Sequence, residues 1–402
     1  MKFRTVTVKE LLSDISMGPF GSNIKRDCYV EQGIPYLNGS NLSGFKLKEE
    51  TFNYVTEVKA DSLGRAVAHR GDVIVTHRGT LGQIVYIPET SKYDRYVTGN
   101  SQFRLTCNDE ILPEYLVYYF HSPVGRHKLL SNASQVGVPA LARPTGTFQQ
   151  LEIELPDIVY QKKVCSILSA LEEKIECNER INENLEQQAA AYFYQQFIVN
   201  ADPSWKEGAI SDLGTVVGGS TPSKSKPEYY TDNGIAWITP KDLSVDKSKF
   251  ISHGADDITE LGLRNSSATI MPAGTVLFSS RAPIGYIAIA DGEVTTNQGF
   301  KSVVPNSNVG TAFVYYFLKN ALPTIESMAS GSTFKEISGS AMRTVPAIIP
   351  DDESLQEFSD FCEPLFQQQR TLEAENRSLA ELRDSLLPKL MSGELDISAL
   401  DL

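Results

Sequence analysis

The chain has 402 residues, 41% hydrophobic and 22% charged, with a net charge of −13. That length exceeds one ordinary core and predicts two or more domains. No apolar run reaches the roughly eighteen residues of a membrane-spanning helix, and "MKFRTVTVKELL" lacks an apolar signal core, so a cytoplasmic protein with no membrane partner is expected.

Five cysteines (Cys28, Cys107, Cys165, Cys177, Cys362) are scattered without a C-x-x-C pair. This argues against a zinc site or a disulfide frame and fits a reducing compartment. Counting Lys and Arg against Asp and Glu gives +1 for residues 1–155, −3 for 156–200, −2 for 201–349 and −9 for 350–402. The excess acid therefore sits in two segments. The other two are balanced and can carry local basic faces.

Residues 1–155 are rich in Gly, Pro, Ser and Thr, with short β-prone runs such as "GDVIVTHRG" and "GQIVYIP" and one short apolar helix, "EYLVYYF". Residues 156–200 read as a long helix. Val164, Leu168, Leu171, Ile175, Asn178, Asn182 and Leu185 recur at alternating steps of three and four, the pattern of a coiled-coil seam with polar core positions. Residues 201–349 return to the first style with "GTVLFSS", "GYIAIA" and the helix "AFVYYFL". Residues 350–402 form a second long helix with Leu355, Phe358, Cys362, Leu365, Gln369, Leu372, Asn376 and Leu379 at the same steps. Pro364 interrupts that seam and predicts a kink or a fresh helix start.

The two β-rich segments are related. "GIPYLNGSNLS" is echoed by "GIAWITPKDLS", "RGDVIVTHRGTLG" by "PAGTVLFSSRAPIG", "TGNSQF" by "TTNQGF" and "EIELPD" by "PAIIPD". The chain is thus a tandem duplication of module and helix with an approximate internal two-fold repeat. The predicted class is α+β: two β-rich α/β modules, separated and joined by two long antiparallel coiled-coil helices.

Enzyme motifs are missing. There is no G-x-x-x-x-G-K-[ST] loop, no H-E-x-x-H and no G-x-S-x-G. "DPSW" at Asp202–Trp205 resembles the Asp-Pro-Pro-aromatic loop of amino-methyltransferases, but Ser204 replaces the second proline and no Gly-rich cofactor loop precedes it. A structural junction anchored by Trp205 is the better reading.

What remains is polar loops on a repeated frame. Arg78 and Arg281 each follow a β run and precede a turn, so each guanidinium should project from a strand end, where arginine suits guanine or phosphate. Around them lie Asn38, Ser40, Asn41, Asn100 and Gln102 in the first module, and Thr239, Lys241, Asn297 and Gln298 in the second. Amides can read adenine edges; hydroxyls and lysines can hold phosphates. The loop "GGSTPSKSKPEYY" adds Ser220, Thr221, Ser223, Lys224 and Tyr229, and "MGPFGSNIK" adds Ser22, Asn23 and Lys25. Tyr36, His77, Thr80, Trp237, Ser280, Thr333 and Lys335 complete the candidate DNA-binding set. Plain turn chemistry would also favour many of these residues.

At this point the whole chain resembles the specificity subunit of a type I restriction–modification enzyme. "GGSTPS", "GIAWITPKDL", "SSRAPIG" and "TTNQGF" resemble a target-recognition domain, and the tail "LRDSLLPKLMSGELDI" resembles the end of the closing conserved helix. The first module departs from the pattern: "MGPFGSNIK" stands where "GGSTPSKSK" is usual, and Gly79-Thr80 stands where the second module has Ala282-Pro283.

The resemblance implies a non-catalytic subunit that binds no cofactor and no metal itself. Each module would read one half of a bipartite, asymmetric site in double-stranded DNA. The helices would dock two methyltransferase subunits, with Leu171, Ile175, Asn178, Leu185, Leu365, Leu372, Leu379 and Leu386 as candidate interface residues. Those partners would methylate adenine N6 with S-adenosylmethionine. Two motor-nuclease subunits using ATP and Mg would join them. The alternative is a two-module scaffold binding protein or glycan.

Overall fold

A computed structural model describes residues 3–21, 23–134, 138–331, 335–397 and 399–400. Ser22 and Thr333 lie outside the described residues. The chain divides into two compact units: Met1–Lys174 with Leu379–Leu402, and Ile175–Ser378. Each unit therefore holds one β-rich module and part of each long helix.

In the first unit, β1 (Arg4–Thr7) and β2 (Leu12–Met17) open the chain. They are followed by β3 (Ile34–Tyr36), β4 (Asp72–Thr76), β5 (Ile84–Tyr86), β6 (Gln102–Cys107) and β7 (Glu152–Leu155). A four-stranded antiparallel sheet has the order β2-β6-β4-β5. β1 pairs with β7, Arg4 opposite Leu155, so the two ends of the module are tied together. β3 belongs to a second, five-stranded sheet.

The second unit repeats the plan with β8 (Lys206–Ala209), β9 (Gly214–Gly218), β10 (Ile235–Ile238), β11 (Phe250–Ile251), β12 (Val276–Ser280), β13 (Ile284–Ala290), β14 (Lys301–Pro305) and β15 (Pro346–Ile349). Its main sheet runs β9-β14-β12-β13-β11, and β8 pairs with β15, Lys206 opposite Ile349.

The first long helix spans Ile158–Tyr194 and the second Asp352–Ser392. Both start at a Pro-Asp junction whose aspartate caps the helix. Asp157 Oδ1 accepts from Tyr160 N and Asp351 Oδ1 from Ser354 N, each at 2.8 Å. No fresh helix start occurs at Pro364: the second helix is continuous through it. Pro364 faces solvent, so the carbonyl it leaves unpaired can be hydrated, while Phe358, Cys362 and Phe366 are buried on the other face.

The cores explain the division. In the first unit Val73, Val75, Phe103 and Leu105 of the sheet pack with Tyr115–Phe120 of the short helix (Pro113–His121). Val164 and Leu168 of the first long helix and Leu387 and Leu390 of the second complete that cluster. In the second unit Val276, Phe278 and Phe313–Tyr316 pack with Phe193 and Phe197 from one helix and Leu355, Phe358 and Phe366 from the other. Neither module closes its core alone, because the aromatic face of its short helix needs the long helices as a lid.

The polar seam positions pair inside the second unit. Asn178 Nδ2 donates to Glu375 Oε2 and to Asn376 Oδ1, both at 2.8 Å, and Gln369 Nε2 donates to Asn182 O at 3.1 Å. In the first unit Arg383 Nη1 meets Glu172 Oε1 at 2.6 Å. Rising numbers on one helix meet falling numbers on the other within each unit, so the helices pair antiparallel. A register pinned by amides is the expected use of buried asparagine.

Candidate nucleic-acid interface

In the first unit three segments meet where β4 ends. His77 N donates to Ser101 O at 2.9 Å and Leu141 N to His77 O at 2.8 Å. Gly18 N donates to Gln102 O at 2.9 Å, and a side chain at Gly18 would meet Gly99 O at 2.1 Å, so only glycine permits that approach. The turn after β3 joins them through Gln83: Thr76 Oγ1 donates to Gln83 Oε1 at 3.0 Å, and Gln83 Nε2 to Gly39 O at 2.9 Å.

The exposed side chains of this rim are Arg78, Thr80, Asn100 and Ser40, with Asn38 and Tyr36 half-buried behind them and Asn23 and Lys25 exposed on the neighbouring loop. Arg78 stands opposite Ala140 across an isolated antiparallel bridge. It has no ion pair among the described residues. Phe20, in "GPFG", is 81% exposed on the same loop and was not singled out from the sequence.

Several candidates prove to be internal. Asn41 is buried and gives Nδ2 to Lys48 O and Thr51 O, both at 3.0 Å. Gln102 is buried and accepts from Gly99 N at 2.7 Å. These two amides hold the loops rather than face out of them. The His77 ring is half-buried; burial lowers its pKa below the ordinary value, and Nε2 has no hydrogen-bond partner among the described residues.

The second unit builds the same rim. Ser280 N donates to Gly299 O at 2.7 Å, Ile337 N to Ser280 O at 3.1 Å, Asn297 N to Ile238 O at 3.0 Å and Ser220 N to Thr296 O at 2.9 Å. A side chain at Gly219 would meet Asn297 O at 1.9 Å, the counterpart of the Gly18 contact. Ala282 (φ 55°) and Gly79 (φ 91°), each the residue after the rim arginine, both adopt positive φ.

Arg281 here faces Glu336 across the bridge that Arg78 makes with Ala140. Its Nη1 lies 3.4 Å from Glu336 Oε2, and Lys301 Nζ lies 3.8 Å from Oε1. Burial pulls the Lys301 pKa down, with Glu336 opposing. Thr221 Oγ1 donates to Gln298 Oε1, and Lys301 Nζ reaches Gln298 O at 3.4 Å, which makes one connected polar edge. Ser223, Lys224, Lys241 and Lys335 are exposed near the ends of these segments; Tyr229 is half-buried.

Trp237 is buried, its Nε1 donating to Ser220 O at 3.0 Å, and Ser280 is buried against Gly299 O. Thr239 caps a short helix by bonding Asp242, and Asn297 Oδ1 accepts from Gly299 N. Trp237 and Ser280 are therefore scaffold, whereas Thr239 and Asn297 are half-buried and each has a side-chain oxygen engaged within its loop. Glu336 occupies the place of Ala140 at the equivalent bridge, a correspondence that the dissimilar sequences around the two residues do not carry.

The helix residues taken as interface candidates sit in the seam. Asn178 and Leu185 are buried within the second unit, and Leu365 and Leu386 pack against the cores of their own units. Leu171, Ile175, Leu372 and Leu379 are half-buried.

"DPSW" is a junction. Ser204 N donates to Asp202 Oδ1 at 2.7 Å, and Trp205 Nε1 donates to Asp351 Oδ2 at 2.7 Å, the residue that caps the second long helix. Among the described residues no group of three or more His, Cys, Asp or Glu could hold a metal, and no helix is long and apolar enough to cross a membrane.

Two β-rich units that present the same polar rim with different side chains define a duplicated recognition fold. Residues 20–187 and 203–382 both match the family described as the type I restriction modification DNA specificity domain. The chain belongs to that family and carries the domain twice. It is 24% identical to the type I restriction enzyme HindI specificity subunit of Haemophilus influenzae, across 95% of this chain and 99% of that one. It is 41% identical over 157 residues to the MjaIX specificity subunit of Methanocaldococcus jannaschii, a match that spans 39% of this chain and 36% of that relative's length. The fold is similar to that of a type I restriction-modification S subunit from M. genitalium, with a TM-score of 0.58 at 17% identity, covering 97% of this chain and 96% of that one.

Proposed function

We propose that this chain is the DNA-reading subunit of a type I restriction–modification assembly. Each module reads one half of a bipartite, asymmetric site in double-stranded DNA. Arg78, Thr80, Asn100 and Ser40 form the reading edge of the first, and Arg281, Gln298, Thr221 and Lys241 that of the second. The outward faces of the long helices dock two methyltransferase subunits that modify adenine N6, and two restriction subunits join through them. S-adenosylmethionine, ATP and Mg belong to those partners; this chain supplies sequence recognition and no catalytic group.

The observation that carries this reading is the duplicated rim: the same backbone contacts in both units, with different exposed side chains at matching places. A shared frame with varied contents suits two different DNA words, because backbone geometry positions and side chains specify. The test is to express the chain with its host methyltransferase subunits and sequence the methylated adenines. One bipartite motif that appears only when this chain is present is expected. The same motif without the chain would refute the assignment. So would S-adenosylmethionine binding by the isolated chain, measured by calorimetry.

A further inference from the structure

Resting on that reading, we infer that Glu336 is a base-reading residue of the second module, accepting a hydrogen bond from the exocyclic amine of a cytosine beside the base or phosphate held by Arg281.

A carboxylate at a DNA-facing edge repels phosphate, so its presence there needs a reason. Pairing with Arg281 alone does not supply one. The contact is 3.4 Å, both side chains are 38% exposed, and such a pair contributes little to stability. Lys301 approaches the other oxygen only to 3.8 Å, beyond hydrogen-bond reach. An ionised carboxylate has about four acceptor positions, so among the described residues Glu336, 38% exposed, keeps acceptor positions unused. Two cations meanwhile offset its charge, which lowers the cost of bringing it to DNA.

The matching ligand is a neutral donor on a base edge. In the major groove the cytosine N4 amine is the partner that Glu and Asp accept from. Arg281, with Nη1 3.4 Å from Glu336, keeps its other guanidinium donors for guanine or phosphate. The first module makes the comparison: Arg78 faces Ala140 at the equivalent bridge, so that module reads without an acid there.

The experiment uses the full chain assembled with its methyltransferase subunits. Wild type is measured first; if it methylates no bipartite motif, the underlying function fails before Glu336 is in question. Glu336→Gln replaces an acceptor by a group that also donates. The expected result is an unchanged first half-site and one altered position in the second. Discrimination for cytosine there should fall by roughly ten-fold or more, with adenine gaining. An unchanged motif overturns the inference. So does a uniform gain of affinity for all sequences, which would make Glu336 a counter-charge only. Should Glu336→Gln fail to assemble, Ala140→Glu decides: a new cytosine preference at one position of the first half-site supports the inference, and an unchanged first half-site overturns it.

Discussion

Lys249 Nζ donates to Gln369 Oε1 at 2.7 Å, joining a buried lysine of the second module to a polar seam position of the second long helix. Glu186, on the first long helix, pairs with the same ammonium, and Tyr316 lies 3.1 Å from it. Burial lowers the Lys249 pKa, and Glu186 opposes that shift. The polar residue in the seam therefore serves the module as well as the helix pair.

Replacing Lys249 by Met should leave the Glu186 carboxylate with the Tyr316 hydroxyl, 2.8 Å away, and with Lys319, a cation that is 40% exposed. Breaking a buried pair from one side costs about 3–5 kcal/mol. Urea unfolding of the second unit should show that loss, whereas Lys319→Met should change stability by about 1 kcal/mol or less. Equal losses from both substitutions would show that the buried cluster does not hold the unit.

Arg78 has no ion pair among the described residues and stands exposed on the first rim. Arg78→Ala should weaken specific binding by about 1–3 kcal/mol if the arginine contacts a base edge. Only the first half-site should be affected. Gel shifts of the assembled complex on full sites and on sites altered in one half would measure this, and wild-type affinity for the intact site would refute it.

Residues 1–155 carry the first rim with its own strand closure, Arg4 opposite Leu155. Exchanging this segment for that of a related protein should change one half of the methylated motif and leave the other intact. The foreign short helix must still cover Val164, Leu168, Leu387 and Leu390, so the best donors keep an aromatic face there. A change in both halves would show joint reading.

Acid should loosen the first unit before the carboxylates titrate. His77 and His121 both have pKa values lowered by burial from about 6.5. Each is favoured neutral in the fold, so the unfolded chain takes up the proton first. Their contribution to stability is full above pH 6.5 and is lost as pH falls from there through the folded values. Thermal unfolding between pH 7 and 5 should show the fall, and His77→Gln with His121→Gln should flatten it. An unchanged slope in the double variant would place the titration elsewhere.

The sequence by itself determined the duplication, both long helices, their seam spacing and the two arginine loops. Those features are written in local periodicity and in repeated turns, which survive without tertiary context. Pro364 starts no new helix, because it lies on the exposed face, where the carbonyl it leaves unpaired can be hydrated. Asn41, Gln102, Trp237 and Ser280 read as polar or aromatic candidates and prove to be buried; whether such a group faces solvent or closes a loop is set by the backbone carbonyl or amide that the fold brings to it, as with Asn41 against Lys48 O and Thr51 O or Trp237 against Ser220 O. Only the tertiary structure decided that Arg281 faces an acid and Arg78 an alanine, since that pairing joins segments more than fifty residues apart. It also decided that each module closes its core with both long helices, because burial of Tyr115–Phe120 and Phe313–Tyr316 is a property of what packs on them and not of their own sequence.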